Sequence, residues 1–197
     1  GGESTSYRYP DPGWMMGVVG MGPAGAPDPA RRVLTFTTDV LADDLEIAGP
    51  IKLQLHISST TTDADFFVKL SEQMPQSAED REKGLNPNYF WITKGWLRAS
   101  HRALDVQKST EMEPYHTHSD PEPIEPGEIY QLDISLEPMA HRFQAGSRIR
   151  LEIVNGDSAF TDVLWTHYFL PNKIGTDTIY HSAEHASVLT LPVMEGV

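Results

Sequence analysis

Cysteine is absent from this 197-residue chain, and the absence removes several chemistries at once. No disulfide framework can staple the fold, and no thiolate can hold zinc or act as a nucleophile. A cysteine-free chain suits a reducing, cytoplasmic compartment, although export does not require cysteine. Basic residues are scarce too: 15 Lys and Arg against 28 Asp and Glu leave a formal net charge of -13. A surface of that sign repels phosphate backbones and anionic lipid, so neither nucleic acid nor a membrane surface is an expected partner. No apolar run approaches the ~20 residues that a membrane-crossing helix needs. The opening Gly1-Gly2-Glu3-Ser4 offers no initiator Met and no charged-then-apolar signal segment. The chain therefore reads as though it begins in mid-protein.

A nucleophile elbow is also missing. A serine hydrolase on an α/β fold writes Gly-x-Ser-x-Gly where a strained turn presents the serine, and no serine here has those neighbours. Ser147, in Gly146-Ser147-Arg148, sits in an expected turn between strands. Without a nucleophile, nothing selects a catalytic His–acid pair from the eight histidines.

What is present is strand. Ile51, Leu53, Leu55 and Ile57 alternate with Lys52, Gln54, His56 and Ser58, the period of a strand with one buried face. The same period runs through 64–70, 130–136 and 149–153 and closes on Leu189, Leu191 and Val193. Residues 33–38, 92–102 and 178–182 are further strand candidates. Turn signals stand at Ala48-Gly49-Pro50, Glu125-Pro126-Gly127 and Ala145-Gly146-Ser147, and 76–84 reads as a short helix or charged loop. About eight strands without βαβ alternation predict an all-β antiparallel sandwich, most naturally a jelly roll over 31–197. Ahead of it, residues 1–30 are rich in Gly, Pro and Ala and predict an extended arm or linker.

Three side-chain sets could carry function. His116-Thr117-His118 puts two imidazoles on one side of an extended segment, but no third lies nearby in sequence, and a solvated loop accounts for them better than a metal site. His181 and His185 are spaced for a helix in a region that reads as extended. Asp63 and Asp65, like Asp39, Asp43 and Asp44, could offer oxygens to calcium, but solvated acids are the simpler expectation. The aromatics are more telling. Trp14-Met15-Met16 makes the arm too apolar for a free tail, and Trp91, Trp96, Phe160 and Trp165 fall at strand ends or in loops. Trp14, Met15, Trp91, Trp96, Phe160 and Trp165 are thus expected to line an interface or cleft with a neighbouring domain, ahead of a sugar-stacking platform. No catalytic residue, cofactor or metal is expected, and a homo-oligomer stays open.

The ordered pieces also resemble a known family. Tyr9-Pro10-Asp11-Pro12 leads to Arg32-Val33-Leu34-Thr35-Phe36-Thr37-Thr38, then to 43–50 and Thr62-Asp63-Ala64-Asp65-Phe66-Phe67-Val68-Lys69-Leu70. Gly95-Trp96-Leu97-Arg98-Ala99-Ser100-His101-Arg102, Pro126 to Tyr130, Phe143 to Leu151 and Gly175 to His185 follow in order. Together they resemble the C-terminal, non-catalytic domain of the X-prolyl dipeptidyl-peptidase and cocaine-esterase (CocE/NonD) class of serine hydrolases. One departure is that 159–171 lacks the Pro-x-x-x-x-Asn run of many relatives. The resemblance implies a galactose-binding-like jelly roll packed beside an α/β-hydrolase catalytic domain, walling its cleft and holding none of its triad. The alternative is an independent carbohydrate-binding module.

Overall fold

A computed structural model describes residues 3–9, 34–155 and 171–194. These residues form an all-β, antiparallel fold with nine strands: β1 (Ser4–Tyr9), β2 (Leu34–Thr37), β3 (Leu45–Ser59), β4 (Asp65–Gln73), β5 (Tyr89–Arg98), β6 (Tyr130–Phe143), β7 (Arg148–Val154), β8 (Gly175–Tyr180) and β9 (Val188–Thr190). One helix, α1 (Ala78–Glu82), occupies the predicted charged segment, with Ser77 accepting the Asp80 N–H as its N-cap.

The strands run in the order β1-β8-β3-β6-β5-β4-β7-β2, with β9 also on β3. Two halves, β1-β8-β3-β6 and β5-β4-β7-β2, meet at one residue pair, Gly95 with Leu136. A glycine is required there. A Cβ on Gly95 would stand 3.0 Å from the Leu136 Cα and closer still to the Ser135 carbonyl oxygen. Backbone touching backbone lets the sheet fold back on itself nearly into a barrel.

The alternation read from the sequence becomes the core. Ile51, Leu53, Leu55 and Ile57 from β3 meet Leu132, Ile134 and Leu136 from β6 and Phe66, Val68 and Leu70 from β4, all buried. Each such side chain contributes roughly 1.5–3 kcal/mol by leaving water. Between β2–β7 and β3–β8–β9 the packing opens into an apolar cavity of about 220 Å³, lined by Phe36, Leu55, Leu151, Ile179 and Leu189 with His181 at its edge.

Three expectations need adjusting. Ala48-Gly49-Pro50 is no turn: β3 runs through it with a bulge between Gly49 and Ile51, where Gly49 takes φ +134. Proline lacks the ladder N–H, and a bulge is where a strand tolerates that loss. Residues 4–9, counted with the arm, pair with β8 along their whole length. The candidate strand over 92–102 ends at Arg98 and passes into a 3₁₀ turn, Ala99–His101.

Candidate functional site

The site begins with a face that should have been plain. Because Phe66, Val68 and Leu70 point into the core, Phe67, Lys69, Ser71 and Gln73 point outward. Their cross-strand partners build rows across this outer face: Trp96–Phe67–Val154, Lys94–Lys69–Glu152–Thr35 and Trp91–Ser71–Arg150–Thr37. Trp91 and Trp96 are five apart, and strict alternation would separate them. A register shift between Leu70 and Ser71 inserts one extra residue in β5 and brings both indoles to the same side.

Both indoles are open to solvent, Trp91 at 51% and Trp96 at 54% exposure. Beside them the same face buries charge. Arg150 is 4% exposed and Glu152 5%, and they pair at 2.8 Å. The Arg150 guanidinium also bonds Gln73 at 3.1 Å and lies 4.6 Å from the Tyr89 ring centre. Lys94 lies over the Trp96 ring at 5.7 Å. Three buried polar atoms on this face, Ser71 Oγ, Arg150 Nε and Thr35 Oγ1, have no hydrogen-bond partner. Phe90, adjacent on β5, is exposed and stacks on His141.

At one end of the same half lies a buried ionic cluster. Lys173 Nζ, on a residue only 5% exposed, reaches Asp65 at 2.5 Å and Asp63 at 3.5 Å. Arg98 Nε donates to Asp65 at 2.8 Å, and Asn155 donates to Asp177 at 2.6 Å. Asp63 accepts from the Ser100 N–H at 2.9 Å and its hydroxyl at 3.1 Å. The expectation of solvated acids at Asp63 and Asp65 is therefore corrected: the chain folds cations over them. Burial, reinforced by the Asp65 charge, pushes the Asp177 carboxyl above the usual range despite hydrogen bonds from Ser59 and Asn155. Burial, then the Asp177 charge, raises the Tyr7 phenol as well.

Acid–base chemistry has its parts but not its arrangement. His141 Nε2 meets Glu72 at 2.9 Å, half of a triad. Glu72 also accepts the Gln144 N–H at 2.7 Å; burial pushes its carboxyl up, but these bonds outweigh it and hold it below the usual range. The nearby Ser147 hydroxyl is fully buried and donates to the Gln144 carbonyl at 2.7 Å, which makes it a turn residue. Among the described residues no serine hydroxyl bonds an imidazole: His56 meets the Ala186 carbonyl, His116 the Asp133 carbonyl and His181 the Thr5 hydroxyl.

Nor do the described residues hold three or more His, Asp or Glu side chains gathered tightly enough to grip a metal ion as they stand. They do bring a third imidazole, His101, beside His116 and His118, which spacing along the chain concealed. His118 is held below the usual histidine range, first by desolvation and then by its two imidazole neighbours. Of the expected interface residues, Trp91 and Trp96 fall on one exposed face, while Trp14, Met15, Phe160 and Trp165 lie outside the described residues.

Comparison with known proteins matches the chain to a family. Residues 16–190 match the X-Pro dipeptidyl-peptidase C-terminal non-catalytic domain. A protein of Mycobacterium bovis named as a serine esterase is 34% identical over 168 residues, 83% of this chain and 24% of its own length. Cocaine esterase of Rhodococcus sp. is 24% identical over 170 residues, again 83% of this chain and 26% of that protein. The chain thus spans about a quarter of these relatives. A CocE/NonD family hydrolase of Staphylococcus aureus has the same fold at a TM-score of 0.71 and 21% identity, over 97% of this chain and 32% of that one. These relatives lend the carbohydrate-module alternative no support.

Proposed function

The chain belongs to the family of X-Pro dipeptidyl-peptidase C-terminal non-catalytic domains, and from that premise we propose that it serves as the accessory β domain of a serine hydrolase. The parent enzyme would be of the X-Pro dipeptidyl-peptidase or acyl-esterase type, its α/β-hydrolase domain the partner of this one. In this role the chain contributes structure and part of the cleft wall, and no step of hydrolysis. One observation carries the proposal: Trp91 and Trp96 stand half-exposed on an outer face that also buries Arg150 and Glu152. Large exposed rings over desolvated charge suit a surface that a second domain covers. Trp14, Met15, Phe160 and Trp165 are assigned to the same interface.

The finer fold reading belongs to the same proposal. Connections β2–β3, β3–β4, β5–β6 and β6–β7 each pass from one half to the other, whereas β4–β5 and β8–β9 stay within a half. Repeated crossing between halves supports a jelly roll of the galactose-binding-like kind.

The experiment is direct. Assayed alone, the chain should hydrolyse neither an acyl ester nor an X-Pro peptide. Joined to the α/β-hydrolase domain proposed as its partner, the Trp91→Ala/Trp96→Ala variant should lower kcat/KM or loosen the domain pairing. Hydrolysis by the chain alone, blocked by a serine-directed inhibitor, would refute the proposal.

A further inference from the structure

The long β5–β6 crossover, residues 99–129, carries three histidines, His101, His116 and His118. It is not loose. Asp105 N–H donates to the Tyr115 carbonyl at 2.8 Å and Thr117 N–H to the Ala103 carbonyl at 3.1 Å, while Leu104 bridges His116. That short antiparallel ladder folds the segment back on itself. It sets His118 next to His101, which lies 17 residues earlier in the 3₁₀ turn after β5.

The rings are close and their nitrogens face each other. His101 Nδ1 and His118 Nδ1 stand 3.4 Å apart, with ring centres 5.4 Å apart. Two nitrogens bound at about 2.0–2.1 Å to one tetrahedral ion would themselves lie roughly 3.3–3.4 Å apart. His116 is the neighbour on the other side of His118, ring centres 5.8 Å apart. Its Nε2 donates to the Asp133 carbonyl at 2.8 Å, which fixes the tautomer and leaves Nδ1 as a bare lone pair. That Nδ1 is buried and has no hydrogen-bond partner. A metal-binding histidine commonly shows this pattern, one nitrogen anchored on a carbonyl and the other unspent.

The middle residue carries a second cost. His118 adopts φ 53, in the left-handed region that a non-glycine residue enters only against a penalty. Its left-handed backbone places the ring between two imidazoles.

We propose that His101, His116 and His118 form a binding site for a divalent ion of the zinc–copper class, which pins the β5–β6 crossover. The ion takes the place of the proton that His101 and His118 share, each presenting Nδ1. His118 is exposed and shifts with the ion toward the His116 Nδ1, which the Asp133 carbonyl holds in place, and water completes the coordination. Three imidazoles without carboxylate suit zinc or copper and disfavour calcium and magnesium. The site is not catalytic. It would tie Asp133 on β6 to the turn leaving β5, and so stiffen the loop between the two halves.

The test uses the 197-residue chain, stripped with chelator and titrated calorimetrically with zinc chloride at neutral pH. Saturation near one equivalent is expected, with zinc raising Tm and slowing proteolysis within 99–129. His118→Asn keeps a residue that tolerates the left-handed backbone and should weaken zinc binding by at least about tenfold, as should His101→Ala and His116→Ala. His185→Ala, in a pair with His56 elsewhere, should leave it unchanged. Imidazole NMR signals of the three histidines should shift together on zinc addition. Absence of zinc and copper binding overturns the proposal. So does binding that survives the His101→Ala/His116→Ala/His118→Asn variant with its apo fold intact by circular dichroism.

Discussion

The outward face of β3 and β6 and that of β4, β5 and β7 are produced by the same pleat, yet they carry opposite chemistry. Across the first run the rows Ser135–Lys52–Thr190, Asp133–Gln54–Val188 and Gln131–His56–Tyr180, most of them polar and none holding a fully buried charge. Across the second run Trp96–Phe67–Val154 and Trp91–Ser71–Arg150, rings in the open and ions out of water. A sheet face that meets only solvent has no reason to desolvate an arginine. On the proposed reading, that difference marks the second face as the side a neighbouring domain covers.

The hardest test of that contrast is to remove one of the two cations that neutralise its buried carboxylates. Lys173→Met leaves Asp65 and Asp63 with Arg98 as their remaining cation and should cost about 3 kcal/mol, read from urea melts. A loss no larger than that from truncating Lys52 on the polar face would show that the two faces do not differ in electrostatic demand. The joint between the halves comes next. Gly95→Ala forces a Cβ against the Leu136 Cα and the Ser135 carbonyl and should cost about 3 kcal/mol, with Gly127→Ala, where a Cβ meets open space and only the left-handed backbone at φ +87 opposes it, costing less.

A smaller effect should appear in the pH dependence. Asp177 is raised above its ordinary 3.8, so it binds its proton more tightly folded than unfolded. Its contribution favours the native state at low pH and is lost as pH rises from that value through the raised folded one. Asp177→Asn keeps an acceptor for Asn155 and removes the titration. Thermal melts from about pH 3 to about pH 8 should show the variant losing less stability than the parent across the rise. Identical profiles would mean that Asp177 is solvated and the cluster open.

Much of this was legible in the residues because burial on one face writes a period of two. The strands β3, β4, β6 and β7 follow directly from Ile51–Ile57, 64–70, 130–136 and 149–153. The family resemblance is borne out as well, since residues 16–190 match one family model. What did not show was whatever depends on meeting across the sheet. Asp63 and Asp65 look solvated until Lys173, more than a hundred residues later in the chain, is folded over them. His101 lies too far along the chain from His118 to suggest a cluster, and only the ladder in the crossover joins them. The bulge that aligns Trp91 with Trp96 leaves no compositional mark, since neither proline nor glycine falls at Ile92-Thr93.

The smallest expected effect discriminates best between structure and function. Trp91→Ser and Trp96→Ser remove exposed rings, and in the chain alone each should change stability by no more than about 0.5 kcal/mol, as should Gln131→Ala on the polar face. By stability the two faces would then look alike. Beside the catalytic domain they should separate, because a central interface tryptophan costs about 2 kcal/mol or more when truncated, whereas a solvated glutamine costs nothing. Affinity of the two domains expressed as separate chains measures this directly. If the tryptophan and glutamine variants bind equally well, the exposed rings serve another surface, and the face that buries Arg150 and Glu152 answers only to the domain's own folding.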